Sequence, residues 1–239
     1  MLNSTDWRKF TGIYILICLL NIVVFNIAEY AYLELLFKPL IMISILMYSF
    51  KNLRSYTFYN WVFTAFVFSW LGDVFLLGQG INDLFFVAGL ASFLVSHILY
   101  ALYFYKSASH TWSKKPSILG LQLTICVLVA AFYSLMYPGL GDLSIPVLCY
   151  VSAIGFMGML ALNRFNKVNA KSFWFVLAGA LCFILSDSII GYNKFVNPLP
   201  FAHVYIMTFY CIAQYLILKG FVLGKENSLN RKRHPRMPF

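Results

Sequence analysis

Residues 58–77 have the sequence FYNWVFTAFVFSWLGDVFLL, in which Asp73 is the one charged side chain. A helix of about 20 apolar residues is long enough to cross the roughly 30 Å hydrocarbon core of a bilayer. A charge inside such a run is expensive in lipid and usually has a function. This stretch therefore predicts a transmembrane helix that carries a candidate site residue.

Runs of the same kind, bounded by charges, prolines or glycines, precede and follow this one. Together with 58–77 they predict spans over 10–28, 32–50, 84–105, 118–137, 145–163, 172–191 and 201–223. A β-barrel would instead show alternating segments of about ten residues. The first run resembles a signal peptide, but no small-residue cleavage site follows it, so we interpret it as a retained span. The predicted fold class is all-α, with residues 1–239 forming a single eight-helix polytopic membrane domain.

The composition agrees with a chain dissolved in lipid. Of the 239 residues 61% are hydrophobic and only 11% are charged, whereas a soluble domain has about 25% charged residues. This excludes a soluble globule. The five cysteines lie singly inside apolar runs, without CxxC or Cys/His spacing, and predict neither a disulfide framework nor a zinc site.

The basic residues indicate an orientation. Of the 18 Lys and Arg, 15 fall before span 1, after span 8, or between spans 2 and 3, 4 and 5, and 6 and 7. The positive-inside rule then places both termini in the cytoplasm, with a basic tail at 224–239, and we expect a multi-pass protein of a bacterial inner membrane. The net charge of +10 forms no contiguous basic face, so we expect no nucleic-acid partner.

Two carboxylates lie at the same predicted depth. Asp73 and Asp187 each stand four residues before the outer end of an outward-running span, roughly 6 Å below the boundary. Each follows a small residue, Gly72 or Ser186, which lets a helix or a substrate come close. A purely structural interpretation stays open, in which each Asp caps a neighbouring helix or pairs with a lysine. The paired depth favours a catalytic interpretation.

Other polar residues converge on the same end of the bundle. Glu34 and Lys38 begin span 2, His203 begins span 8, and Ser69 shares a helix face with Asp73. The predicted substrate-binding residues are Lys38, Ser69, Tyr192, Asn193, Lys194 and His203. Glu34 and Lys38 have the spacing of a helical ion pair. They either neutralise each other, or Lys38 binds a lipid phosphate or keeps one Asp ionised.

His97 is predicted to be remote from the two acids. It lies 13 residues into span 4, roughly 20 Å from the outer end, on a stripe with Ser92 that is typical of a close-packed helix seam. We therefore expect that it does not reach the carboxylates. Supporting roles are assigned to Glu34, Ser92, His97 and Ser186.

Two carboxylates in a poorly hydrated site cannot both ionise easily, so one keeps its proton while the other stays charged. Such a pair suits hydrolysis through an oxocarbenium-like cation. Other enzyme classes lack their parts, because there is no GxSxG elbow, no three-histidine zinc set, no P-loop and no dinucleotide fingerprint. We expect neither a metal nor another cofactor.

Four stretches, taken in order, carry a family resemblance. KPL at 38–40, FSWLGD at 68–73, GLASF at 89–93 with SHILY at 96–100, and SDS at 186–188 with NKF at 193–195 resemble the YhhN/TMEM86 lysoplasmalogenase family. Asp73 and Asp187 fall on its acidic positions, Lys38 on its KPL lysine and His97 on its GH/SH histidine, where Ser96 here replaces the glycine of many members.

The resemblance implies an enzyme that hydrolyses the vinyl ether bond of lysoplasmalogen without a metal. The products would be a fatty aldehyde and glycerophosphoethanolamine or glycerophosphocholine. The partners implied are a lysophospholipid substrate and the lipid bilayer, and the oligomeric state stays open.

Two other functions compete with this one. Spans 3 and 7 carry similar small-residue-Asp turns in the same orientation, which is compatible with a transporter made of two parallel four-helix halves. A transporter, however, places its site near the midplane, whereas these acids are predicted near one face. A non-catalytic lysolipid-binding membrane protein is the third alternative.

Overall fold

A computed structural model describes residues 4–233, and within that range the chain forms eight long helices and no strands. The helices are α1 (Ser4–Phe25), α2 (Glu34–Leu53), α3 (Tyr59–Leu77), α4 (Asp83–Ser107), α5 (Pro116–Met136), α6 (Ser144–Asn163), α7 (Ala170–Phe195) and α8 (Ala202–Arg233). All eight are long and apolar enough to cross a membrane. The predicted all-α, eight-span fold is confirmed.

The helix bounds differ from the prediction most at α1, α7 and α8, and α1 begins at Ser4 rather than at 10. Helix α1 ends at Phe25 rather than at 28, because the chain turns into a 3₁₀ segment over Ala28–Leu33. Helix α7 continues past Gly191 to Phe195, since no proline interrupts it before Pro198. Helix α8 continues past 223 to Arg233, so the predicted tail at 224–239 is helical that far, and 234–239 lie outside the described residues.

The helices in contact form a closed ring. Helix α1 packs on α2 and α8, and the ring continues through α2 to α3, α3 to α4, α4 to α6, α6 to α7 and α7 to α8. Helix α5 lies outside this ring, against α6 and one part of α7. We name the end at which α3 and α7 finish the outer end, following the predicted orientation.

The closest helix pair is α7 with α8, and glycines allow the approach. A Cβ atom on Gly220 would lie 2.5 Å from Cγ2 of Val176 and 3.1 Å from the carbonyl oxygen of Ser172. A Cβ atom on Gly179 would lie 2.9 Å from Cγ1 of Ile217. Because lipid chains are as apolar as the helices, such close packing is a main source of helix association in membranes.

The other end of the bundle contains a buried cation, Arg164. Its side chain is 1% exposed, and it donates from Nε to Oγ of Ser107 (3.0 Å) and from Nη2 to Oγ of Ser172 (3.0 Å). The guanidinium also faces the rings of Tyr103 and Phe104. Burial lowers the pKa of Arg164, yet a guanidinium stays protonated at neutral pH. Arg164 therefore joins α4, α6 and α7, besides contributing to the predicted orientation signal.

Candidate active site

The two predicted carboxylates are held in different surroundings. Asp73 on α3 is 2% exposed and accepts a hydrogen bond at Oδ2 from the hydroxyl of Tyr210 on α8, at 2.6 Å. Asp187 on α7 accepts at Oδ2 from the hydroxyl of Tyr150 on α6, at 2.5 Å. A tyrosine from another helix therefore fixes each carboxylate.

His97 contacts Asp187, so the prediction that it does not reach the carboxylates was wrong. Its Nε2 lies 3.0 Å from Oδ2 of Asp187 and 3.0 Å from the hydroxyl oxygen of Tyr150. With the Nε2–H tautomer, His97 and Tyr150 both donate to a carboxylate, which is an acceptor only. Helix α7 runs to Phe195, so Asp187 lies about 12 Å from its end rather than 6 Å.

The direction of the side chains accounts for the rest of the difference in depth between His97 and Asp187. Helices α4 and α7 run in opposite directions, and each side chain leans toward the N-terminus of its own helix. His97 therefore leans toward the outer end, and Asp187 leans away from it. The predicted depths were counted from Cα positions along each helix, and such a count does not include the way these two side chains lean toward each other.

An aromatic side chain stands between the two hydrogen-bonded groups. The ring of Phe183 lies 4.7 Å from the ring of His97 and 5.6 Å from the ring of Tyr210, centroid to centroid. Phe183 itself is fully buried. The Asp73–Tyr210 pair and the Asp187–Tyr150–His97 group thus pack against the same ring from two sides.

The three predicted serines form hydrogen bonds, and those of Ser69 and Ser186 join different helices. Ser69 Oγ and Ser96 Oγ are 2.8 Å apart across the α3–α4 contact. Ser92 donates to the carbonyl of Ala88, and Ser186 donates to the carbonyl of Ile206 on α8. The supporting roles predicted for Ser92 and Ser186 are compatible with these bonds. The predicted substrate contact of Ser69 stays a prediction.

A polar cavity of about 660 Å³ lies at the outer end. Its polar lining includes Glu34, Lys38, Asn193, Lys194 and His203. Oε1 of Glu34 is 3.2 Å from Nζ of Lys38 and 3.2 Å from Nε2 of His203. The Glu34–Lys38 pair is therefore formed as its spacing predicts, and His203 extends it to α8.

The residues that close α7 have distinct surroundings. Asn193 accepts a hydrogen bond from the backbone N–H of Leu199, which fixes the turn into α8. Nζ of Lys194 lies 3.6 Å from Oδ1 of Asp83, on the exposed rim of the bundle. Tyr192 is half-buried, and the lining of the polar cavity does not include it. Its predicted role in binding stays a prediction.

An apolar cavity of about 340 Å³ begins beside the polar cavity. It runs between α4, α5, α6 and α7, and Asp187 and Tyr150 form part of its wall. Leu76, Phe86 and Ile190 line both cavities. Asp187 stands one helical turn before Ile190 and lines the apolar cavity but not the polar one.

Tyr150 and Tyr210 are not among the site residues predicted from the sequence. Tyr210 shares a helical face with His203 and Met207, which was the one available signal. Tyr150 stands within a continuous apolar run, and nothing in its spacing indicates that it meets Asp187. Within residues 4–233, no group of three or more His, Cys, Asp or Glu residues could hold a metal ion.

Comparisons with known proteins identify the family of this chain. The chain matches the family model of the YhhN family over residues 33–221. Human lysoplasmalogenase TMEM86A is 37% identical over 169 residues, which cover 69% of this chain and 66% of that protein. A lysoplasmalogenase of Mycobacterium bovis is 30% identical over 169 residues, covering 70% of this chain and 62% of that protein. No solved structure matches the chain. The chain belongs to the YhhN family.

Proposed function

We propose that the protein is a membrane-embedded hydrolase that cleaves the vinyl ether bond of lysoplasmalogen. The relatives that it resembles are named lysoplasmalogenases. The observation that carries the proposal is the position of Asp187, in the wall of an apolar cavity that adjoins a polar one. A lysolipid has the same division, with one hydrocarbon chain and one charged headgroup.

In the proposed binding mode the headgroup occupies the polar cavity and the chain occupies the apolar cavity. Lys38 and Lys194 contribute positive charge for a phosphate, and Glu34 contributes negative charge for an ammonium group. The vinyl ether joins the chain to the glycerol, so this bond comes to the boundary at Leu76, Phe86 and Ile190. Asp187 lies about one helical turn inside that boundary, in the wall of the apolar cavity.

The proposed chemistry uses the two carboxylates in different roles. Asp73 lines neither cavity in this structure, so the proposal requires its neighbours to move before it protonates the vinyl carbon one bond away from the ether-bearing carbon. The substrate then becomes an oxocarbenium ion. Asp187, which faces two donors and the cavity, stabilises this cation and takes a proton from the attacking water. The addition gives a hemiacetal, with the proton of Asp73 now on carbon and one water proton on Asp187.

Collapse of the hemiacetal restores both groups. Asp187 returns its proton to the ether oxygen as the bond to the glycerol breaks, and Asp73 accepts the proton of the hemiacetal hydroxyl. The products are a fatty aldehyde and a glycerophospho-headgroup. Protons balance over the cycle without a metal or another cofactor.

The test is to incubate purified protein with matched vinyl ether and ester lysolipids and to measure aldehyde and fatty acid separately. We expect aldehyde release, and a decrease of about 10²–10⁴-fold in Asp73→Asn and Asp187→Asn. Asp142→Asn, which changes an exposed carboxylate between α5 and α6, is the matched control and should keep wild-type activity. Folded Asn variants that release aldehyde at the wild-type rate would contradict the two-carboxylate mechanism.

We also propose that both termini are cytoplasmic and that the protein is in a bacterial inner membrane. The distribution of Lys and Arg supports this orientation. The polar cavity and the scissile bond would then lie in the leaflet that faces away from the cytoplasm.

A further inference from the structure

Helix α5 forms hydrogen bonds to α6 near its two ends and buries few residues between them. Its buried residues are Ile118, Gln122 and Met136. Nε2 of Gln122 donates to the carbonyl of Met159 on α6 at 3.0 Å, and the hydroxyl of Tyr133 donates to the carbonyl of Ser144 at 3.1 Å. The middle of α5 therefore bridges a space that the ring of helices leaves open.

That space is the apolar cavity. Ile125, Leu128, Val129 and Phe132 all line it, and their spacing of three and four residues places them on one face of α5. The inner face of α5 thus borders the cavity, while Ile125 and Val129 on the same face also pack against the glycines of α6.

Three leucines that line this cavity are also exposed on the outside of the protein. Leu128 on α5 is 62% exposed, and Leu181 and Leu185 on α7 are 44% and 49% exposed. A side chain can line a cavity and face the outside only at the rim of an opening. The three leucines therefore mark a slot between α5 and α7, which we call the lateral slot.

The lateral slot lies at the depth of the hydrocarbon core. Leu128 is about 18 Å along α5 from Pro116, and Leu185 is about 22 Å along α7 from Ala170. Both helices are long enough to span a bilayer, so these positions are well away from both of their ends. The slot therefore faces lipid chains rather than water.

We propose that single-chain lipid substrate passes from the bilayer into the apolar cavity through the lateral slot, between Leu128 of α5 and Leu181 and Leu185 of α7. The occupant is the hydrocarbon chain of a lysolipid, because the cavity continues into the polar cavity at Leu76, Phe86 and Ile190. This inference rests on the proposed function for the identity of the substrate. The path of the lipid into the cavity does not depend on whether the vinyl ether bond is cleaved there.

Narrowing the lateral slot tests the path in liposomes that contain lysoplasmalogen. We expect Leu128→Trp and Leu185→Trp to lower kcat/KM for aldehyde release about tenfold or more, since each larger side chain would fill part of the opening that the substrate has to cross. Leu123→Trp is the matched control, because Leu123 is 65% exposed on α5 and is not among the residues that line the apolar cavity. It should stay within about twofold of the wild type, and thermal unfolding verifies that each variant is folded.

A second measurement does not depend on cleavage. An ester lysophosphatidylcholine with a photoreactive diazirine in its chain is incorporated into the same liposomes and activated, and the labelled peptides are identified by mass spectrometry. We expect labels on 125–136 of α5 and 181–188 of α7, reduced in Leu185→Trp.

The outcomes separate the two proposals. Labelling at these segments without aldehyde release supports the lateral slot and contradicts the proposed hydrolysis. Labelling confined to other helices, or slot variants that keep the rate and the label of the wild type, would overturn the lateral slot.

Discussion

At the scale of single residues, the clearest feature is that Tyr150 and His97 meet the same oxygen of Asp187. Tyr150 comes from α6 and His97 from α4, and both side chains are buried. A carboxylate with two fixed partners is held in one orientation, and a general base must lie within hydrogen-bond reach of the proton that it takes. We assign Tyr150 and His97 to the positioning of Asp187.

This assignment predicts the effect of deleting one hydroxyl. Tyr150→Phe should reduce aldehyde release by about tenfold or more, since it removes a donor that holds Asp187. Tyr105→Phe removes a hydroxyl that binds the carbonyl of His110 outside the site and should leave the rate unchanged. Steady-state rates with lysoplasmalogen decide the question, and equal rates in the two variants would show that Tyr150 does not position Asp187.

At the scale of helices, glycines and one arginine determine how closely α4, α6, α7 and α8 pack. Gly220 brings α8 against the backbone of α7, and Arg164 links the serines of α4 and α7. These contacts hold the helices that carry His97, Tyr150, Asp187 and Tyr210. We therefore expect substitutions at these contacts to lower the free energy of unfolding more than they lower the catalytic rate of the folded protein.

Adding one methyl group to the α7–α8 contact tests this packing. Gly220→Ala should destabilise the protein by about 1–3 kcal/mol through overpacking, because the added Cβ would meet Val176 at 2.5 Å. Gly120→Ala on α5 is the control, since a Cβ there has nothing within 4 Å. Thermal unfolding in detergent should show a lower Tm for the first variant alone, and two equal Tm values would refute the close contact.

Removing the buried arginine tests the link between three helices. Arg164→Ala should destabilise the fold by about 2 kcal/mol or more, because it removes hydrogen bonds that each contribute roughly 0.5–1.5 kcal/mol or somewhat more with a charged donor. Lys171→Ala removes an exposed basic residue at the start of α7 and should have little effect on Tm. A similar decrease of Tm in both variants would indicate that positive charge in this region, and not the buried contacts of Arg164, stabilises the fold.

At the scale of the whole molecule, the asymmetry of charge predicts which end of the bundle faces which side. From their positions before, between and after the predicted spans, 15 of the 18 basic residues are expected on the side opposite to the polar cavity. Reporter fusions test the resulting orientation. A reporter inserted after Ser109 should show cytoplasmic activity, and one inserted after Asp142 should show activity on the other side. The reverse result would place the polar cavity in the cytoplasmic leaflet.

The sequence predicts the helices well, the polar residues inside them in part, and the contacts between helices poorly. The eight spans follow from sequence, because span length depends on local hydropathy against a fixed bilayer thickness. The sequence also identifies the candidate residues Asp73, Asp187, Lys38 and His203, since a polar residue inside an apolar run is easily recognised. The partners of Asp187 do not, because Tyr150 and His97 lie in helices distant along the chain.

By itself, then, the sequence determined the number of helices, the candidate carboxylates and the predicted orientation. Only the tertiary structure decided that His97 meets Asp187, that α5 lies outside the ring, and that an apolar cavity opens beneath it. The physical reason is that the helices are surrounded by lipid rather than by water. Where lipid outside is as apolar as the core inside, a helix need not be polar on one side and apolar on the other, and which faces meet depends on close packing between distant segments.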